Sequence, residues 1–473
     1  MTPPLFSNKI IPELDRKFSP SSIFVRNFLK AAKETGEAVP VTLALEQANG
    51  SVFHYSTVVF PESSSSASYN ALFIERLVKF LLWSRGGYRL TLAGPAYLAD
   101  LLKKHYTDTA TGRFDAEIMG GRIYEKPFEI RHVASVDALP APKESTAPLG
   151  RHFKGCRIGF DLGASDRKVA AVIDGEVVFS EEVVWDPVKQ SDPEWHHAEF
   201  TAMLNSAKAK LPRVDAIGGS AAGVYVDNRV KVASLFRGVL DAPVKDPVKV
   251  QAAKDVFLRL KEEWKVPFEV VNDGEVTALA GSISLNDGGV LGIALGSSEA
   301  VGYVTAQGNI TSWLNELAFA PVDVREDAPC DEWSGDYGCG VQYFSQQCVN
   351  RLLAPAGIEL PSDMKVPEKL KEVQALMAKG DERARKIYET IGVFMGYGVA
   401  HYANFYDIRH ILSLGRVTTG EGGAIILEKA QDVLKEEFPE LAEKITFNTP
   451  SERDKRHGQA IAAASLAVVP GQD

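Results

Sequence analysis

The sequence predicts an α/β fold, and three observations carry that prediction. Short runs rich in β-branched residues alternate with stretches of helical apolar spacing. Asn49-Gly50 and Asp174-Gly175 each sit between two β-rich runs, a strong hairpin signal. Three strand-like runs end in small-residue turns: DLGAS (161–165), LGSSEA (295–300) and LGRVTTGEGG (414–423).

The elements follow in order. Residues 1–20 read as a proline-containing arm. VPVTLALEQANGSVFHYSTVVF (39–60) is a hairpin, and SSSSASYN (63–70) is a loop or the lead-in to a helix. ALFIERLVKFLLWSR (71–85) has helical spacing, YRLTLAG (88–94) is a strand, AYLADLLKKHY (96–106) a helix and PFEIRHV (127–133) a strand. VDALPAPKESTAPLGRHF (136–153) has three prolines and little periodicity, which places a domain boundary near residue 150. The pattern then restarts. CRIGFDLG (156–163) is a strand, KVAAVIDGEVVFSEEVVW a hairpin, 196–211 a helix and VDAIGGSAAG (214–223) a strand. The shared order leaves two readings of residues 1–150, a degenerate duplicated half or an unrelated small α/β domain. Beyond it, 248–264 reads as one helix and 381–407 as a long helix broken at Gly396 or Gly398. IRHILSLG (408–415) reads as a strand and 424–438 as a helix.

The chain has 473 residues, 45% hydrophobic and 24% charged, enough for two or three globular domains. A net charge of -10 gives no support for wrapping a nucleic-acid backbone. The N-terminus lacks the pattern of a secretory signal, and the longest apolar runs are too short to span a bilayer. Four cysteines in so long a chain fit a reduced, cytoplasmic setting.

FEVVNDGEVTALAG (268–281) poses the chemical question. A strand ends in Asn272 and Asp273, and a helix follows. Such a pair often caps a helix. A carboxylate there can also take the proton of an alcohol that is being phosphorylated. No stretch matches GxxxxGK[ST], and GxGxxG is missing after a suitable strand. Glycine turns after strands can still admit phosphate oxygens to backbone N–H groups.

The order of the three turns around the Asn-Asp pair resembles the sugar-kinase, actin and heat-shock ATPase superfamily, and within it the ROK family, over residues 156–470. The resemblance implies a two-lobed actin-like, ribonuclease H-like module over 151–473, behind an N-terminal α/β extension of 1–150. It implies ATP with Mg²⁺ as cofactors. Asp161, Gly163, Ser165, Gly296, Ser297, Ser298 and Gly415 would surround ATP, with Asp161 organising the Mg²⁺-bound phosphate through water. Asn272 and Glu316 would hold the sugar, and Asp273 would accept its proton. Soluble homodimers acting on small molecules, without nucleic acid or membrane, complete the expectation.

The pattern also departs from the family. NELAF (315–319) puts Phe319 where a histidine is expected, and CDEWSGDYGCGVQYFSQQC (330–348) lacks the compact cysteine spacing. Cys330, Cys339 and Cys348 without that histidine argue against a structural zinc. Trp313 and Phe319 read as core rings or as sugar-facing ones. Three functions stay open: an ATP-dependent, glucokinase-like carbohydrate kinase, a noncatalytic sugar- or nucleotide-binding protein, and a ROK-type transcription regulator.

Overall fold

The computed structural model describes residues 5–143, 149–449 and 458–471. The chain divides into two compact units. One holds Met1–Ser145, Ile293–Val301 and Trp313–Asn448, and the other holds Thr146–Gly292, Gly302–Ser312 and Thr449–Asp473.

In the first unit, β1 (Val39–Glu46) and β2 (Val52–Val59) pair antiparallel across their full length around the Asn49-Gly50 turn. Gly50 takes φ +84°, a conformation that glycine adopts without strain. β1 also pairs antiparallel with β3 (Arg89–Ala93), and β3 runs parallel to β4 (Glu129–Val133), giving the order β2-β1-β3-β4. The helix Tyr69–Arg85 is buried along nearly its whole length. The helix Ser21–Glu34, which the sequence reading does not single out, buries Phe24 and Phe28. Phe28 stacks on Phe73 with ring centroids 4.1 Å apart.

The second unit is built on β5 (Cys156–Leu162), β6 (Asp166–Ile173), β7 (Glu176–Val184), β8 (Ala216–Ala221), β9 (Val224–Val226), β10 (Arg229–Val232) and β11 (Phe268–Asn272). Its main sheet has the order β11-β8-β5-β6-β7. β5, β8 and β11 run parallel, and β6 and β7 are antiparallel. β9 and β10 form a separate ribbon. The C-terminal helix Gln459–Ala464 lies directly on this sheet. A Cβ at Gly218 would stand 1.7 Å from the Ala463 carbonyl oxygen, and one at Gly159 2.0 Å from that of Ala460. These strands therefore need glycine where the helix backbone crosses them.

The single helix expected over 248–264 is two, Pro247–Lys254 and Val256–Trp264. Asp255 leaves the helical path between them, and its carboxylate accepts from Arg229 at 2.8 Å and from Gln251 at 2.6 Å.

The remaining strands, β12 (Val290–Leu295), β13 (Glu299–Val304), β14 (His410–Leu414) and β15 (Thr446–Asn448), form a sheet in the order β13-β12-β14-β15. The long helix runs unbroken from Glu382 to Tyr402, contrary to the expected break at Gly396 or Gly398. Its glycines serve packing instead. A Cβ at Gly396 would stand 2.5 Å from Val433 Cβ on the helix Glu421–Glu437, and one at Gly398 would stand 2.6 Å from the Phe344 ring.

The first unit also buries a charge cluster. Lys79 is fully enclosed, with its ammonium 2.9 Å from both Asp115 Oδ2 and Asp336 Oδ2. Arg76 donates to Asp336, and the Trp83 indole donates to Asp115 at 3.0 Å. Burial works against the Asp336 carboxylate, but Lys79 and Arg76 outweigh it and push its pKa down to about 2. Removing one partner of a buried ion pair strands the other charge. Lys79→Met is expected to lower unfolding free energy by about 3–5 kcal/mol. Urea denaturation at pH 7 measures it, and a midpoint equal to the parent's would show that the cluster contributes no net stability.

Candidate active site

The expected site residues fall in both units. In the second unit, parallel register aligns the ends of three strands. Asp161 pairs with Ser220, and Leu162 and Asn272 both pair with Ala221. Asp161 is the penultimate residue of β5. Beyond it Gly163 N–H donates to Asp166 O at 2.9 Å, and the Gly163 carbonyl accepts from the Trp185 indole at 2.8 Å. The Ser165 hydroxyl is exposed and donates to Asp166 at 3.0 Å.

Asn272 is the N-cap of the helix Asp273–Leu285. Its Oδ1 accepts from Gly274 N–H at 2.7 Å. Its amide also donates to the Gly223 carbonyl at 2.7 Å, tying the helix start to the turn before β9. The capping role considered for the pair thus falls on Asn272, and Asp273 is the first helical residue. One amide N–H and one lone pair of Asn272 are left over from these two bonds.

Asp273 is half-exposed by surface area, yet its carboxyl group lies deep among protein atoms. Burial first, and then the charge of Asp161, push its pKa up to about 6, against the bonds from backbone N–H groups. Asp161 is also raised, by burial, while the Ser220 hydroxyl bonded to it at 2.7 Å and the charge of Lys168 work the other way. The two carboxylates are close enough to feel each other, and they ionise as a pair. Such a pair can keep one member charged while the other is a base of raised strength.

In the first unit, Gly296 closes a tight turn, with its N–H bonded to Ser298 O at 3.0 Å and its carbonyl accepting from Gln346 N–H at 2.9 Å. Ser297 and Ser298 are exposed at its tip. Gly415 follows β14 with φ +99°, and a Cβ there would stand 2.5 Å from the Leu295 carbonyl oxygen. The chain then enters the helix Glu421–Glu437. Gly415 needs glycine because it passes close to the Leu295 backbone, whereas a Cβ at Gly296 would meet only Ser298 O at 3.4 Å. The exposed Ser297, Ser298 and Gly415 are open to a phosphate or a nucleotide.

Glu316 is half-buried, and its backbone N–H donates to Trp83 O at 2.9 Å. Phe319 packs on Trp83 with centroids 4.6 Å apart, and Trp313 faces the Arg85 guanidinium at 3.6 Å. Both rings therefore have partners within the protein. Cys339 and Cys348 are buried, and burial pushes the Cys348 thiol up to about 11. Among the described residues no group of three or more His, Cys, Asp or Glu side chains could hold a metal ion. Among the described residues, too, no helix is long and apolar enough to cross a membrane.

Two residues were not singled out in the sequence. Ser220 becomes visible only through the pairing of β8 with β5. Glu299 lies one residue beyond the Ser297-Ser298 tip, fully buried. Its Oε1 accepts from the Tyr402 hydroxyl at 3.2 Å, and its Oε2 has no hydrogen-bond partner among the described residues. Burial, opposed by Tyr402 and reinforced by the charge of Glu316, pushes its pKa up to about 8.

Neither a family model nor a curated protein sequence matches the chain. Solved structures do. The ROK hexokinase from Thermus thermophilus is similar with a TM-score of 0.51 and 18% identity, over 66% of this chain and 97% of that one. A ROK family transcriptional regulator, homologous to the MLC protein of E. coli, is similar with a TM-score of 0.52 and 18% identity, over 67% of this chain and 78% of that one. At such identity the shared property is the fold, and it is the ROK-type ATPase fold that the motif order implies.

Glu299 gives this site a pH signature. Its folded pKa of about 8 stands above the ordinary value near 4.3, so its contribution is favourable at low pH and is lost as pH rises through 8. Glu299→Gln cannot ionise. Relative to the parent it is expected to gain stability steadily between about pH 4 and pH 8 and to hold that gain above. Urea midpoints at pH 4, 7 and 9 measure the difference, and parallel profiles would show that Glu299 is not buried as an acid.

Proposed function

We propose that the chain is a ROK-family kinase that transfers a phosphoryl group from ATP to a hydroxyl of a hexose or related sugar. The observation that carries this reading is Asp273. It stands at the end of β11, the parallel edge strand of the main sheet, its pKa raised to about 6, beside a second carboxylate, Asp161. In the reaction the sugar oxygen attacks the terminal phosphorus, the bond from that phosphorus to ADP breaks, and the sugar hydroxyl proton passes to Asp273. A base of this strength is still largely ionised at neutral pH and takes a proton more readily than an ordinary aspartate.

Asn272 would orient the acceptor hydroxyl with the amide group its two internal bonds leave over, and Glu316 would bind another hydroxyl. The turns at Gly163, Gly296 to Ser298 and Gly415 would hold the nucleotide, and Asp161 would order its phosphate end through water. ATP with Mg²⁺ supplies the transferable group and the charge that offsets it. The open backbone at Gly415 and the exposed serines at the 296–298 turn fit such a ligand.

A second reading keeps the binding and drops the chemistry. The match to a transcription regulator is as good as the match to a hexokinase, so the fold supports both. ADP release separates them. In a coupled assay over hexoses and amino sugars, the parent is expected to turn over at least one sugar, with kcat falling below about pH 6 as Asp273 gains its proton. Asp273→Asn should lower kcat by about 10²–10⁴-fold with much smaller changes in sugar and ATP affinity. Binding without any ADP release by the parent would favour the noncatalytic reading, and near-normal turnover by a folded Asp273→Asn would remove Asp273 as the base.

A further inference from the structure

We infer that Ser220 is a positioning residue for Asp161, its hydroxyl holding that carboxylate ionised and in one orientation at the end of β5. The inference rests on the phosphotransfer reading for its meaning, but not for its measurement.

The geometry begins with register. β5 and β8 run parallel with Asp161 opposite Ser220, which places the two residues side by side across the pair. The Ser220 hydroxyl donates to Asp161 Oδ1 at 2.7 Å, and Ser220 has no surface open to solvent. A serine hydroxyl has one proton, and here it is committed to Asp161. Water does not compete for it at a fully enclosed position.

The other charged groups facing Asp161 are Lys168 and Asp166 on β6 and Asp273 beyond β11. Lys168 is opposite Asp161 in the β5–β6 register, but its ammonium lies 3.5 Å from Asp166 and its side chain is 43% exposed. Its charge is shared and screened. Asp166 and Asp273 both oppose ionisation of Asp161. Ser220 therefore supplies a buried, directional contact favouring the charged form. Because Asp273 responds to the charge of Asp161, the hydroxyl also helps set which of the two carboxylates keeps its proton longer.

A buried serine in a strand can instead be packing alone, and the variants separate the two roles. Ser220→Ala removes the donor. Ser220→Cys keeps the volume with a much weaker donor. The direct readout is carbon NMR of protein labelled at the aspartate carboxyl carbons, with the Asp161 signal identified by its loss in Asp161→Asn. The titration midpoint of Asp161 is expected to rise by about one pH unit in Ser220→Ala, a tenfold change in proton affinity, the scale of a hydrogen bond to a charged group. Ser220→Cys should give most of the same rise. In the ADP-release assay kcat should fall with KM for the sugar unchanged, as expected for a misplaced Asp161. Adding Ser220→Ala to Asp161→Asn should have no further effect on kcat.

An unmoved Asp161 midpoint in a folded Ser220→Ala would overturn the inference, and so would a parent-like midpoint in Ser220→Cys, since that assigns volume rather than donation. If Ser220→Ala fails to fold, Ser220→Cys decides alone by the same midpoint. A parent that releases no ADP with any sugar, yet shows the expected midpoint shifts, would sink the kinase reading and leave the positioning role standing.

Discussion

The parallel register of β5, β8 and β11 is the constraint on which the candidate site depends. It brings the carboxyl ends of three strands level, so that Asp161, Ser220 and Asn272 come together although 59 residues separate the first two. Ligands of open α/β sheets gather at such strand ends. The register itself needs one face of the sheet to be seated, the face shared by Asp161 and Ser220, and there Gly159 and Gly218 accept the backbone of the helix Gln459–Ala464 at a distance no side chain would permit. The last described helix of the chain thus steadies strands whose other ends carry the chemistry.

Charge is treated in two ways in this protein. In the first unit Lys79, Arg76, Asp115 and Asp336 are enclosed but matched, and Asp336 stays ionised down to about pH 2. Asp273 and Glu299 are enclosed without a cation, and both hold protons to unusually high pH. Around Asp336 the cations outweigh desolvation, whereas Asp273 and Glu299 have none to offset it and are raised toward the range where proton transfer works at neutral pH.

Much of this was legible in the sequence because it is local. Asn49-Gly50 and Asp174-Gly175 specify their turns by backbone conformation alone, and the Asn272-Asp273 pair marks a strand-to-helix junction by residue type. What the sequence hid depends on distant neighbours. Asp255 reads as one more polar residue of a helix until Arg229 and Gln251 draw its carboxylate away. Gly396 and Gly398 read as breaks until the helix Glu421–Glu437 and Phe344 occupy the space they leave. Lys79 reads as the charged face of an amphipathic helix, yet it is buried by aspartates from two other segments. Ser220 is one small residue in the run GGSAAG, which does not single it out, and only strand order gives it a partner. The N-terminal block shares the order of hairpin, helix and strand with the second unit, but β1 meets β3 antiparallel where β5 meets β8 parallel. Similar local patterns there produce different sheets.

The Arg76–Asp336 contact spans 260 residues of chain. On a ribosome adding about 5–20 residues per second, Arg76 emerges roughly 13–50 s before its carboxylate exists. During that interval the helix Tyr69–Arg85 has its cations without this partner and its apolar surface without the segments that later cover it. The second unit waits as well, because the helix Gln459–Ala464 that seats its sheet lies near the end of the sequence. The N-terminal segment, translated first, therefore stays unfinished until partners from far along the sequence emerge.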